Sequence, residues 1–269
     1  MIRKPQLDYY KMGVGVTTFS TTRHGGCSKS HPASSNCPSE NYTAFNINRY
    51  CGDSEEHIRQ NRKTLCSLLG INDDRLLMPH QVHLTKTARI DEALLSLSEN
   101  QRREALEGYD ALMTDLKGVC IGVSTADCHA GWRGTVGRIV QKTVGAMREA
   151  YSTQPQYLVA QIGPGIHIDS FEVGDEVYAV FEKADFDMPS ISKRYAAADV
   201  GRKWHIDLPE CNRQQLVAAG LSPQNIRVSP ICTYQQYADY FSARRLGINS
   251  GRIFTGIMVL GAHTGTTPM

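Results

Sequence analysis

An acid, a thiol and an imidazole follow one another at the end of a predicted buried strand. Asp127, Cys128 and His129 come directly after an apolar run that begins at Val119 and is rich in β-branched residues. Such a run is typical of a buried strand. A glycine-flanked stretch, residues 131–134, and then a helical pattern follow. Polar groups at a strand end face the same space as the backbone N–H groups at the next helix start, so this stretch is a candidate functional site.

Two further histidines precede this stretch. His80 and His83 are three residues apart and follow a short apolar segment. If this segment is a strand, the two side chains point to opposite faces, and at most one would reach a shared metal ion. A single histidine is more often hydrogen-bonded within the fold than bound to a metal. The residues alone leave the choice between the two histidines open.

The direct neighbours Cys128 and His129 are an unusual pair for one site. On a continuous strand their side chains would point to opposite faces and would not easily share a metal ion or a proton. A turn and a second strand between them, about 10–20 residues, would bring both onto one face. The sequence contains no such residues. We therefore expect a discontinuity here, with an omitted segment and Cα atoms farther apart than the about 3.8 Å of a trans peptide.

Composition limits the class of protein. The chain has 269 residues, of which 41% are hydrophobic and 21% charged, and its net charge is +2 without a basic run. A nucleic-acid partner is therefore not expected. No apolar run is long enough to span a membrane, and the first residues do not match a signal peptide, so we predict a cytoplasmic protein. The eight cysteines lack the spacing of zinc ribbons or disulfide scaffolds.

Periodicity and turn residues predict the elements that would position these groups. Helices are predicted over 53–70, 91–107, 135–147, 172–184 and 207–220, and strands over 13–22, 76–80, 119–126, 157–162, 226–231 and 252–260. Asp53, Thr135 and Asp207 are the predicted helix caps. Residues 185–204 are predicted to be an irregular surface segment. Because strands and helices do not alternate strictly, we predict an α+β single domain over 1–269, with mixed β-sheets flanked by helices.

Several motifs in a fixed order make the chain similar to a known family. They are residues 22–28, 46–53, 61–62, 80–83, 110–114, 125–134, 162–164, 171–174 and 241–245. The chain resembles the YfiH-type family, formerly called laccase-domain or multicopper polyphenol oxidase proteins and now described as purine nucleoside phosphorylases. The resemblance covers nearly the whole chain. It implies the fold that this family shares with deamidase toxins of the cytotoxic-necrotizing type.

The resemblance also implies a metal site and an activity. His80, Cys128 and His129 match the family's metal ligands, and the same three are the implied catalytic residues. Two imidazoles and a thiolate leave a fourth position open for water, as in catalytic zinc sites. Copper is less expected, because Asp169 and Ser170 occupy positions where relatives often carry two cysteines. The implied activity is phosphorolysis of inosine or adenosine, with adenosine deaminase and methylthioadenosine phosphorylase as further activities.

Phosphorolysis requires a cation for the phosphate. Arg23, Arg133 and Arg244 are candidates because a guanidinium group binds phosphate through two hydrogen bonds, and Ser28 is a further candidate substrate contact. The expected partners are a nucleoside and phosphate, without nucleic acid or membrane. One departure from the family stands out: relatives have an intervening strand between the thiol and residues 129–134, and this sequence lacks it.

Three alternative functions stay open at this point. In a hydrolase or amidase, Cys128 would be the nucleophile, His129 or His80 its base, and no metal would be required. A laccase-like polyphenol oxidase is the second alternative. A non-catalytic binding protein is the third, and it is favoured if the segment after Cys128 is truly absent. One zinc ion per chain would support the function as a phosphorylase. Alkylation of Cys128 in the metal-free protein would support the function as a hydrolase.

Overall fold

The computed structural model describes residues 4–29, 43–127, 131–196 and 202–261. Cys128, His129 and the predicted discontinuity between them lie outside these ranges. The strands are β1 (Leu7–Tyr10), β2 (Val16–Thr21), β3 (Ser28–Lys29), β4 (Thr43–Ala44), β5 (Leu76–Leu77), β6 (Thr87–Arg89), β7 (Ala111–Met113), β8 (Cys120–Thr125), β9 (Ala160–Ile162), β10 (Glu172–Val173), β11 (Ser192–Ala196), β12 (Arg202–Ile206), β13 (Ile226–Val228) and β14 (Ile253–Val259). The helices are α1 (Glu55–Leu69), α2 (Glu92–Leu95), α3 (Glu99–Ala105), α4 (Gly131–Val136), α5 (Ile139–Tyr151), α6 (Asp175–Lys183), α7 (Met188–Ile191), α8 (Leu208–Ala218) and α9 (Ala243–Leu246). No helix within these ranges has the length and apolar character needed to cross a membrane.

The predicted buried strand is β8, and it lies inside a five-stranded sheet of order β1-β2-β14-β8-β5. β14 runs antiparallel to β8 along all six of its residues. β5 runs parallel to β8 on the other side but covers only its first two residues. Farther along this edge, Gln81 takes the place of a strand, since its Oε1 accepts a 2.8 Å hydrogen bond from the Ser124 backbone N–H. The backbone of β8 is therefore paired along its whole length on one side, and at its first two residues and Ser124 on the other.

One face of this sheet is covered by α1. Phe19, Leu65 and Phe254 are fully buried in the cluster between them, together with Cys120. The burial of such apolar side chains stabilises the fold by about 1.5–3 kcal/mol each. Parallel and antiparallel pairs, helices and smaller sheets occur together in the described ranges, so the predicted α+β class with mixed sheets is confirmed.

The first long helix shows how tertiary contacts move a cap by one residue. Ser54, not Asp53, is the N-cap of α1, and its Oγ accepts a hydrogen bond from the His57 backbone N–H. The Asp53 carboxylate accepts instead from Asn46 Nδ2 at 3.0 Å and from the Ser54 N–H. The predicted end at Gly70 is confirmed, because this residue adopts the left-handed φ of 67° that favours glycine.

The prediction of one helix capped by Thr135 is wrong. Thr135 lies inside α4. The helical conformation is interrupted between α4 and α5 at Arg138, whose φ is 63°. Helix α8 provides the physical reason. Gln215 Nε2 donates to the Thr135 carbonyl at 2.9 Å, and Asn212 Nδ2 donates to Thr135 Oγ1 at 3.3 Å. The predicted cap of α8 itself is confirmed, since Asp207 accepts from the backbone N–H of the third helical residue.

Residues 185–204 are not irregular as predicted. They contain α7, β11 and the first part of β12, and β12 lies between β10 and β11 in an antiparallel sheet. Trp204 stacks on Tyr178 with ring centroids 3.9 Å apart, and the Arg194 guanidinium covers it at 4.3 Å. The many charges in these strands mask the alternation by which a strand is normally predicted.

The close contact between β8 and β14 gives a first testable prediction. A Cβ atom added to Gly122 would lie 2.4 Å from Phe254 Cζ and 2.5 Å from the Thr255 carbonyl oxygen. Because the Thr255 backbone cannot yield within the sheet, we expect Gly122→Ala to lower the free energy of unfolding by about 1–3 kcal/mol. Urea unfolding of the two proteins measures this difference.

The matched control is Gly145→Ala in α5, where the added methyl group meets open space. Alanine is favoured over glycine within a helix by about 0.5–1 kcal/mol, so this variant should be at least as stable as the wild type. Equal effects of the two substitutions would contradict the packing described for Gly122.

Candidate active site

The chain leaves β8 through Asp127, and three other segments hold this residue. Its side chain is buried; Oδ1 accepts from the Thr233 hydroxyl at 3.0 Å and Oδ2 from the Arg244 backbone N–H at 2.6 Å. Its carbonyl oxygen accepts from the Ile166 N–H at 2.5 Å. The residue directly before Cys128 is thus bound to the segments after β9 and β13 and to the start of α9.

The backbone of Asp127 is strained. Its φ of 92° is positive, which is rare for a residue other than glycine. Such a conformation is unfavourable by about 1–3 kcal/mol and persists only where surrounding contacts enforce it. The hydrogen bonds from Thr233, Arg244 and Ile166 are those contacts. The position at which the chain enters the predicted catalytic residues is therefore set by tertiary structure.

On the other side of residues 128–130, the His83 imidazole lies against the start of α4. A Cβ atom placed on Gly131 would lie 2.9 Å from His83 Nδ1, so glycine is needed for this close approach. His83 is solvent-exposed, and no hydrogen bond to its ring is present in the described ranges. The ring is therefore accessible and lies beside Gly131, the residue at which the described structure resumes.

His80 has different surroundings. Its Nδ1 lies 2.5 Å from Glu107 Oε1, and its ring stacks on Tyr50 with centroids 3.7 Å apart. His80 and Glu107 are also joined by an isolated β-bridge. One nitrogen of the His80 ring is thus engaged, whereas His83 contacts the motif that follows Cys128. The backbone of His83 has a φ of 60°. Hydrophobic periodicity in the sequence does not predict this conformation.

Four cysteines outside the predicted site have poorly reactive thiols. Burial raises the pKa of Cys27, Cys51 and Cys120, and it raises that of Cys66 to about 12. These thiols are protonated at neutral pH and are weak nucleophiles and metal ligands. Within the described ranges, no group of three or more His, Cys, Asp or Glu side chains is placed to hold a metal ion. Cys128 and His129 lie outside those ranges.

The arginines predicted to bind phosphate differ in solvent exposure and in hydrogen bonding. Arg23 is buried and donates from Nη1 to the Tyr237 carbonyl at 2.6 Å. Arg244 is exposed; its backbone is bound to Asp127, and its Nη1 donates to the Glu172 carbonyl at 3.0 Å. Arg133 is exposed on α4, with its guanidinium 4.4 Å from the Trp132 ring centroid. Ser28 is in β3.

Arg133 and Arg244 therefore belong to the segments that border residues 128–130. Thr233 and Ile166, which hold the strand end, were not predicted as site residues. Neither belongs to a motif with recognisable chemistry, because their role lies in hydrogen bonds across the fold.

Comparison with known proteins identifies the family. A family model described as multi-copper polyphenol oxidoreductase laccase matches residues 17–128 and 129–260. The chain belongs to this family. The predicted resemblance is confirmed, and the crystal structure of the Bacillus licheniformis hypothetical protein YfiH has the same fold, with a TM-score of 0.78 at 23% identity over 93% of this chain and 98% of that one.

Characterised relatives extend over the same length. The chain is 43% identical to a purine nucleoside phosphorylase of Bacteroides thetaiotaomicron, over 91% of this chain and 92% of that protein. It is also 43% identical to adenosine deaminase RL5 of an unknown prokaryotic organism, over 96% of this chain and 99% of that protein. The crystal structure of YlmD from Geobacillus stearothermophilus superimposes with a TM-score of 0.75 at 27% identity, over 92% and 93% of the two chains.

The family match is interrupted between Cys128 and His129. The alignment with adenosine deaminase RL5 extends over 273 positions, although this chain has only 269 residues. That relative therefore carries residues with no counterpart here. The interruption coincides with the place where the sequence predicts an omitted segment.

The anchoring of Asp127 gives a second prediction. Thr233→Val keeps the shape of the buried side chain but removes the hydroxyl that donates to Asp127 Oδ1. A hydrogen bond to a charged group contributes about 1.5–3 kcal/mol, so the free energy of unfolding should fall by that amount. Urea denaturation measures it.

Thr18→Val serves as the comparison, because the buried Thr18 hydroxyl donates to the neutral carbonyl of Tyr10 at 2.8 Å. The expected loss there is about 0.5–1.5 kcal/mol. A loss at Thr233 no larger than that at Thr18 would show that the contact with Asp127 is not a strong one.

Proposed function

We propose that this protein is a zinc-dependent purine nucleoside phosphorylase that cleaves inosine and adenosine with phosphate and also deaminates adenosine. The observation that carries this proposal is 43% identity to both a purine nucleoside phosphorylase and an adenosine deaminase, over at least nine-tenths of the chain. The arrangement around the end of β8 is consistent with it. Methylthioadenosine is a further candidate substrate of the same site.

The metal would be held by Cys128, His129 and one imidazole from the loop that carries both His80 and His83. A thiolate and two imidazoles suit zinc, and the fit is supported by an exposed His83 ring in contact with Gly131. His83 is the favoured imidazole, because its ring lies beside Gly131 in the motif that follows Cys128. The contact of His80 Nδ1 with Glu107 does not by itself exclude His80, because metal-bound histidines commonly have a carboxylate on the other ring nitrogen. Zinc, when bound, supplies Lewis acidity.

The residues of this chain would orient the reactants. Phosphorolysis needs phosphate near the anomeric carbon of the nucleoside. Arg244 and Arg133 are the arginines whose exposed guanidinium groups belong to segments bordering residues 128–130, and a guanidinium group binds phosphate through two hydrogen bonds. Asp127 fixes the backbone of Arg244 and thereby the origin of its side chain. Arg23 is less available, because its side chain is buried.

The metal assignment leads to a third prediction. The purified wild type should contain one zinc per chain, and His83→Ala should lose it, because an open site with three protein ligands does not tolerate the loss of one. His80→Ala should retain zinc, since the imidazole that lies beside Gly131 is that of His83. Metal analysis after extensive dialysis, with circular dichroism as a check of folding, measures the difference.

The opposite result, with zinc lost in His80→Ala and kept in His83→Ala, would return the ligand role to His80. A wild-type protein without zinc would contradict the metal site altogether and would favour the hydrolase or binding-protein alternatives.

The activity itself provides a fourth prediction. With phosphate present, inosine should give hypoxanthine and ribose 1-phosphate, whereas adenosine without phosphate should give inosine. Cys128→Ala should abolish both reactions while the far-ultraviolet spectrum stays unchanged, because the open metal site loses its thiolate ligand. Chromatography of the products checks this.

Two outcomes would point to the alternatives. One outcome is hydrolysis of an amide substrate in the absence of a nucleoside. If this activity persists after metal removal and stops when Cys128 is alkylated, it would favour the hydrolase. Oxygen consumption with a phenol and bound copper would favour the laccase-like oxidase.

A further inference from the structure

One buried carboxylate binds three successive backbone N–H groups in the loop that carries His83. Asp110 Oδ1 accepts from Val82 at 3.0 Å and from His83 at 2.7 Å, and Oδ2 accepts from Leu84 at 2.8 Å. Asp110 is only 5% exposed and directly precedes β7. Successive N–H groups that converge in this way form a concave anion-binding site, which here is occupied by a side chain of the same protein.

The loop has little else on its outer side to hold it. Val82, His83 and Leu84 are all exposed, and the two apolar side chains are 41% and 58% accessible. His83 also has a positive φ of 60°, which is unfavourable for a non-glycine residue. Exposed loops without buried contacts normally sample many conformations. The hydrogen bonds to Asp110 therefore select the conformation in which His83 is found.

The same loop is docked against both ends of α4. The His83 ring lies at Gly131, and the Thr85 methyl group lies 2.6 Å from a Cβ placed on Gly137. Lys142 Nζ donates to Thr85 Oγ1 at 3.0 Å. The loop and α4 thus approach each other at two glycines, so a shift of either one would move the His83 ring relative to Gly131.

We propose that Asp110 is a positioning residue for the metal site. Its carboxylate holds the His83 imidazole at the start of α4 before any metal binds. This inference rests on the proposed function, in which His83 is a zinc ligand. Asp110 does not touch the metal or the substrate. Its carboxylate acts through the backbone of residues 82–84, and its own backbone N–H adds a hydrogen bond to the Lys86 carbonyl at 2.9 Å.

The first experiment measures zinc affinity by competition with a chromophoric chelator. Asp110→Asn replaces one acceptor oxygen by an NH₂ group, which would face a backbone N–H and lose at least one of the three bonds. Loss of an outer partner of a metal ligand lowers metal affinity about 10–100-fold, and we expect that decrease here. In the cobalt-substituted protein, the visible absorption spectrum should also change, because the ligand geometry is altered.

Asp207→Asn is the matched control. Asp207 also accepts a backbone hydrogen bond, as the N-cap of α8, and asparagine caps a helix equally well. This variant should keep wild-type zinc affinity and the wild-type cobalt spectrum. Equal zinc affinity in Asp110→Asn and wild type, with His83→Ala unable to bind zinc, would overturn the positioning role while leaving the proposed function intact.

A second measurement needs no variant and covers the case in which Asp110→Asn fails to fold. Hydrogen exchange of the Val82, His83 and Leu84 amides should already be slow in metal-free wild type, with less than a tenfold further slowing on addition of zinc. Amides that exchange freely until zinc is added would show that the metal, and not Asp110, orders the loop. If His83→Ala binds zinc as tightly as the wild type, His83 is not a zinc ligand, and this inference is contradicted together with that assignment.

Discussion

The positions of the segments around the candidate site depend on two buried carboxylates, those of Asp127 and Asp110, and on the hydrogen-bond donors that each one requires. A carboxylate removed from water is strongly unfavourable unless hydrogen-bond donors replace its hydration. Asp127 meets this condition with the Thr233 hydroxyl and the Arg244 N–H, and Asp110 meets it with three N–H groups of one loop. Because the donors come from segments distant in sequence, satisfying each charge also fixes where those segments lie.

The two anchors act on opposite sides of residues 128–130. Asp127 fixes the end of β8 and the start of α9, and Asp110 fixes the loop that carries His83 against α4. Both anchored segments contain a residue other than glycine with a positive φ, Asp127 at 92° and His83 at 60°. Strain of this kind concentrates at functional sites, where the surrounding structure enforces it. The site is thereby pre-organised by the scaffold and not by its own side chains.

The interruption between Cys128 and His129 falls between these two anchors. On one side β8 is paired by β14 along its whole length, whereas on the other side β5 pairs only its first two residues and Gln81 binds Ser124. Beyond its first two residues, no strand of the described ranges pairs with this edge of β8. The family match is interrupted at the end of this partly paired edge, directly before the candidate site.

Local sequence determined those features whose physical causes are local. The apolar runs of β8 and β14, the αL glycine that ends α1 and the Asp207 cap of α8 were predicted because backbone preference and periodicity are encoded within a few residues. The order of the motifs identified the family.

Only the tertiary structure decided the features that depend on distant donors and acceptors. Gln215 binds the Thr135 carbonyl, 80 residues away along the chain, where a new helix was predicted. The different surroundings of His80 and His83 have the same origin, because Glu107 lies against one ring and Asp110 binds the backbone of the loop that places the other beside Gly131. Periodicity cannot register these contacts, since their partners are separated by up to 80 residues along the chain.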